Sequence, residues 1–177
     1  MKILFIRHAE ALGQDADAPL SITGVRQAQR LAKDLSDHAT DAIFSSPYAR
    51  ALATITPLSK FTGQAIQPLE ELEERRLAPT PLSDWRTHLK RSFEDHAYAL
   101  DGAESMADAT ARALRALHII HASGAKRPVA VTHGNLLASL LAHINPDFGY
   151  DAWDAMGNAE VYEITLNKGA PQRFAKI

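Results

Sequence analysis

The chain has no cysteine. Disulfides, thiolate nucleophiles and cysteine metal sites are therefore excluded. Neither charge dominates, since 19 Lys and Arg stand against 21 Asp and Glu for a formal net charge of −2. The cations are scattered rather than gathered into a stripe that would neutralise a nucleic-acid backbone, so nucleic acid is not expected as a partner. No apolar run approaches the ~20 residues needed to cross a bilayer. Met1-Lys2 leads directly into an apolar stretch, without the basic region and apolar core of a signal sequence. These absences predict a cytoplasmic protein with no membrane partner. The chain also lacks a GxGxxG turn, a P-loop and a Gly-x-Ser-x-Gly elbow, which removes nucleotide-cofactor and serine-hydrolase readings. There is no repeat, low-complexity tract or linker, and 177 residues suit one domain with its own core.

What is present alternates regularly. Strand-like apolar runs occur at Lys2-Ile6, Asp41-Ser45, Pro128-Thr132 and Val161-Leu166, with a weaker one at Ala65-Pro68. Helical periodicity fills the intervals. A helix over Thr23–Leu35 is expected behind Thr23 as N-cap, and Ser46-Pro47 reads as the capped start of another with Arg50 in its first turn. Further helices are predicted over Leu82–Leu100, Ser105–Ser123 and Gly134–His143. Strands alternating with helices imply βαβ units. The expected fold is a three-layer α/β/α sandwich with a mostly parallel central sheet.

The polar residues that end these strands are the informative ones. Arg7 and His8 follow the first strand, Arg50 lies just past the second, and His133 ends the run Val129-Ala130-Val131-Thr132. Open α/β sheets place their chemistry at such strand ends. Two arginines and two histidines there describe an anion pocket. The remaining histidines, His38, His88, His96, His118, His121 and His143, have ordinary structural readings. His118 and His121 share a helical spacing, yet no carboxylate joins them in an HExxH-like pattern.

With Arg7-His8-Ala9 near the start and His133-Gly134-Asn135 late in the chain, the sequence resembles the histidine phosphatase superfamily, the phosphoglycerate-mutase-like phosphatases. The likeness runs through Leu20-Ser21-Ile22-Thr23-Gly24 with Gln27-Ala28, and through Ser45-Ser46-Pro47 with Arg50-Ala51 and Thr54. It continues at Gly102-Ala103-Glu104-Ser105 and at Asn158-Ala159-Glu160. Ala9 stands where the family has glycine, and Gln14 where it usually has asparagine.

The resemblance implies a phosphoglycerate-mutase-like domain over 1–177, with a lid from about 69–104. It implies a nucleophilic His8, which neighbouring cations keep neutral and which forms a phosphohistidine. Arg7 and Arg50 offer planar forks suited to phosphate. Gln14, His133 and Gly134 complete the phosphate pocket, and the helix starts after Ser46 and His133 add backbone amides. An alkoxide leaving group needs an acid. Leu72-Glu73-Glu74-Arg75 resembles the family's acid segment and nominates Glu74, with Glu73 as the alternative and Glu70 and Glu71 facing solvent. Glu104 is read as the cap of the helix that follows it. Trp85, Arg86, His88 and Arg91 are candidates for a rim against the substrate's organic part, or for a solvated helix face.

The expected activity is metal-independent hydrolysis of a small phosphorylated metabolite, by a histidine acid-type phosphatase with neither metal nor cofactor. The alternatives are a phosphoglycerate mutase, a phosphohistidine protein phosphatase, and a non-catalytic phosphate-ligand binding protein. Mutases share the pocket but are longer, and phosphohistidine phosphatases generally lack the acid on the loop.

Overall fold

The computed structural model describes all 177 residues. Its strands are β1 (Lys2–Arg7), β2 (Ala42–Ser45), β3 (Ile66–Pro68), β4 (Pro128–Thr132), β5 (Val161–Asn167) and β6 (Ala170–Lys176). Its helices are α1 (Ile22–Asp34), α2 (Ala49–Thr62), α3 (Trp85–Glu94), α4 (Met106–Ala122), α5 (Gly134–Ile144) and α6 (Tyr150–Asp154). The strands form one sheet in the order β3-β2-β4-β1-β5-β6, parallel from β3 to β1 and antiparallel through β5 and β6. No helix is long and apolar enough to cross a membrane.

Successive strand residues point to opposite faces, so buried strands need apolar residues at every position. In β1, Ile3 and Phe5 join one core, with α4 and α5, while Leu4 and Ile6 join the other, with α1 and α2. Strand β4 divides the same way, Ala130 to the first and Val129 and Val131 to the second. Two cores back to back on one sheet are the expected three layers.

Several boundaries differ from expectation. Helix α1 is capped by Ser21, not Thr23: the Ser21 hydroxyl oxygen accepts the Gly24 amide at 3.0 Å. Ser21 is itself held by Glu10, whose carbonyl accepts the Ser21 amide at 3.0 Å. Helix α2 starts at Ala49 rather than Ser46 and makes no side-chain cap bond at Tyr48, although Arg50 does lie in its first turn. Helix α3 is shorter than Leu82–Leu100.

Ser105, not Glu104, caps α4, in a reciprocal capping box with Asp108. The Glu104 carboxylate instead takes both Nε and Nη2 of Arg112, at 2.8 and 2.7 Å. Strand β6 and helix α6 were not anticipated. The β5-β6 hairpin turns through Lys168 and Gly169, both at positive φ (49° and 85°). That is the signature of a tight two-residue hairpin turn, and Gly169 was its cue.

Candidate active site

The C-terminal ends of β1, β2 and β4 open into a cleft of about 1190 Å³ whose lining includes Arg7, His8, Gln14, Arg50, Glu74 and Gly134. Parallel pairing of β1 with β4 and of β4 with β2 brings the three strand ends to one edge. Arg50 and His133, 42 and 125 positions from His8 in the chain, thus meet it. His133 sits beneath this floor, wholly buried, with its ring centroid 5.0 Å from that of His8.

His8 is held in one tautomer. Its Nδ1 lies 2.7 Å from the Ala9 carbonyl, an acceptor only, so Nδ1 carries the proton and Nε2 keeps its lone pair. Arg50 Nε–H donates to that Nε2 at 3.2 Å. Burial lowers the His8 pKa to about 4, with Arg50 and Arg7 adding to it and the Ala9 bond opposing. Ala9 adopts ordinary negative φ and leaves the loop unstrained.

Arg50 is buried although charged. Its Nη1 donates to the Gln14 and Asp15 carbonyls at 3.0 and 2.8 Å, which aim the guanidinium. Gln14 thus meets Arg50 through its backbone, while its exposed side chain lines the cleft. Arg7 donates from Nη1 to the Met156 carbonyl at 2.5 Å, and its buried Nε has no partner in the protein. A Cβ on Gly134 would lie 3.2 Å from that Nε. Glycine there lets the α5 N-terminus approach the guanidinium.

Glu74 is anchored at the same helix start. Its Oε1 accepts the amides of Arg75, Asn135 and Leu136 at 2.9, 3.1 and 3.0 Å, whereas Oε2 receives only a longer bond, 3.3 Å, from Asn135. Burial raises its pKa against the pull of those amides and of Arg50. Glu73 lines the cleft, and its backbone carbonyl accepts Arg112 Nη1 at 2.8 Å. Glu70 and Glu71 line the cleft too.

Residues 3–174 match the family model described as histidine phosphatase superfamily, branch 1. The chain belongs to this superfamily. A curated relative, the uncharacterized phosphatase PhoE of Bacillus subtilis (strain 168), is 27% identical over 130 residues, 73% of this chain and 66% of that protein's length. Among solved structures, the phosphate complex of mycobacterial glucosyl-3-phosphoglycerate phosphatase is 27% identical, with a TM-score of 0.78 over 99% of this chain and 95% of that one. Bacillus stearothermophilus YhfR is 25% identical, with a TM-score of 0.77 over 97% and 94%. The phosphoglycerate-mutase-like fold expected from sequence is the fold observed.

Of the rim candidates, only Trp85 lines the cleft. Arg86 is tied to Asp154 and Tyr150, His88 to Asp84 and Tyr98, and Arg91 lies over the Tyr98 ring. His121 is remote, its Nδ1 against the Met1 sulfur at 3.3 Å.

Three residues make polar contacts that the sequence pattern did not reveal. Thr54 Oγ1 accepts the Ala9 amide at 2.9 Å and donates to the Arg50 carbonyl at 2.6 Å, joining the His8 loop to the Arg50 helix. Asn158 Nδ2 donates to the His8 carbonyl at 3.1 Å. Ser46 Oγ lies 2.7 Å from His133 Nε2. All three residues sit in recognisable motifs, but a motif does not tell which partner a hydroxyl or amide meets.

Proposed function

We propose that the chain is a metal-independent phosphomonoesterase of the histidine acid-type, hydrolysing a small phosphorylated metabolite in the cytoplasm through a phosphohistidine on His8. Its relatives are phosphatases, one named for the phosphoester glucosyl-3-phosphoglycerate. The observation that carries the mechanism is the Nδ1–H to Ala9 bond, which presents the unprotonated Nε2 among fixed cations.

In the first step Nε2 attacks phosphorus in line, the P–N bond forms and the P–O ester bond breaks. Arg7, Arg50, His133 and Gly134, with Gln14 at the cleft edge, hold the phosphoryl oxygens. The leaving oxygen takes a proton from Glu74, whose burial favours the protonated form at rest. Oε1 stays on the α5 amides, so Oε2 is the oxygen that carries the proton. In the second step the Glu74 carboxylate takes a proton from water, which attacks phosphorus and breaks the P–N bond. Phosphate then departs and His8 is restored. Glu74 rather than Glu73 is favoured because only its carboxylate is fixed beside the α5 N-terminus. We assign residues 69–104 as the lid over this chemistry.

Hydrolysis of an aryl phosphate in excess chelator, by the natural chain and by His8→Ala, tests the reading. Turnover that survives chelation, vanishes in His8→Ala and accumulates an acid-labile phosphoenzyme on rapid quench supports it. Full activity in His8→Ala overturns it.

A further inference from the structure

The His133 ring has no contact with solvent, and neither has Ser46. Burial, followed by repulsion from His8 in its protonated form and from the charges of Arg50, Arg112 and Arg7, holds the His133 pKa well below its ordinary value. The ring is therefore neutral and owns a single N–H. Which nitrogen carries it decides whether the ring is a donor or an acceptor at each end.

Ser46 resolves the choice by elimination. Its hydroxyl oxygen is 2.7 Å from His133 Nε2 and accepts the Tyr48 amide at 3.3 Å. Its backbone is fully engaged: the amide donates to the Val131 carbonyl at 2.9 Å, and its carbonyl accepts the Ser45 hydroxyl at 2.9 Å. The hydroxyl hydrogen then has one acceptor within reach, Nε2. In the opposite tautomer Nε2–H and the Tyr48 amide would both point at Oγ, and the hydroxyl hydrogen would be buried without an acceptor, which is costly. Pro47 restricts Ser46 to extended backbone and fixes the hydroxyl's origin.

We propose that Ser46 is a positioning residue that donates to Nε2 of His133 and so locks its proton on Nδ1, making Nδ1–H a donor to a phosphoryl oxygen. Nδ1 is buried and has no partner in the protein, beside the ring that bears the nucleophile. The two histidines then share one tautomer for opposite ends. His8 turns its Nδ1–H away to Ala9 to free a lone pair, whereas His133 keeps its Nδ1–H for the substrate. This inference rests on the phosphoryl-transfer reading for the oxygen's identity, but the tautomer is a property of the folded chain alone.

Long-range 1H–15N correlation on histidine-labelled chain reads the tautomer directly, with His133 assigned through His133→Gln. The expected result is Nδ1–H on His133, a displacement of that proton's signal on adding vanadate, and a move toward the Nε2–H form in Ser46→Ala. In the same variant kcat falls about tenfold or more, short of the about 100-fold or greater loss expected on deleting an oxyanion donor outright, while KM changes little. Ser46→Thr, which keeps the hydroxyl, restores the Nδ1–H form. An Nε2–H ring in the natural chain overturns the proposal without requiring any variant to fold, as does a Ser46→Ala chain with tautomer and kcat unchanged. Failure of the phosphatase reading looks different: His8→Ala would stay active while the tautomer stood as described.

Discussion

Arg50 Nε–H donates to His8 Nε2 at 3.2 Å, so the lone pair of the proposed nucleophile is covered by the cation proposed to hold phosphate. The bond discourages protonation of Nε2 and must be surrendered as phosphorus arrives. Arg50 also satisfies two backbone carbonyls through Nη1, a fork that lysine cannot reproduce. Arg50→Lys is expected to lower kcat/KM by about 100-fold or more, with KM raised as well as kcat lowered, in steady-state assays.

If Glu74 protonates the leaving oxygen, its loss matters in proportion to how much the leaving group needs a proton. Glu74→Gln should cost about 100-fold or more on an alkyl phosphate and far less on p-nitrophenyl phosphate, whose leaving group departs as a stable anion. Equal losses on both esters would remove Glu74 from the acid's role. Glu73→Gln should leave the ratio unchanged.

Thr54 is wholly buried and bridges Ala9 to Arg50. Thr54→Val keeps the shape and strands the Ala9 amide, a loss of about 1–3 kcal/mol. Urea denaturation should report that loss together with a fall in kcat, and Thr54→Ser should recover most of both.

Gly24 has the tightest surroundings of the glycines, because a Cβ there would lie 1.9 Å from the Glu10 carbonyl oxygen. Glu10 follows His8 by two residues, and its amide is held by Gln27 Oε1 at 2.8 Å. Gly24→Ala should destabilise by about 2 kcal/mol or more and depress kcat by shifting the loop. Thermal melts and turnover on the same preparation check both.

The His8 pKa is lowered from 6.5 to about 4. Between those values the unfolded chain binds a proton that the native chain does not, so stability is full above pH 6.5 and declines as pH falls toward 4. The gap corresponds to about 3 kcal/mol, and His133 acts in the same direction. The urea midpoint should fall from pH 7.5 to pH 5, and His8→Asn should flatten that dependence.

Arg7, His8, Arg50 and His133 were legible as a group because each ends or follows an apolar run, and a parallel sheet has one chemical edge. Glu74 was nominated by likeness to a motif, and distinguishing it from Glu73 required seeing which carboxylate meets the α5 amides. The α1 cap was misplaced because Ser21 and Thr23 are equivalent in local propensity. What separates them is the long-range bond from Ser21 to Glu10. Strand β6 escaped because Ala170–Lys176 is an edge strand with no buried residue, so it lacks the apolar run that marks a central strand.

Local pattern and covalent order by themselves determined the alternation of strands and helices, the division of apolar side chains between two faces, and the delivery of cations and imidazoles to strand ends. Those features depend on residues near one another in the chain. Which tautomer His133 holds, which oxygen of Glu74 is free, and why Gly24 and Gly134 admit no side chain were decided only in the folded molecule. Each depends on a hydrogen bond or a close approach between segments distant in sequence, and its partner exists only once the sheet has assembled.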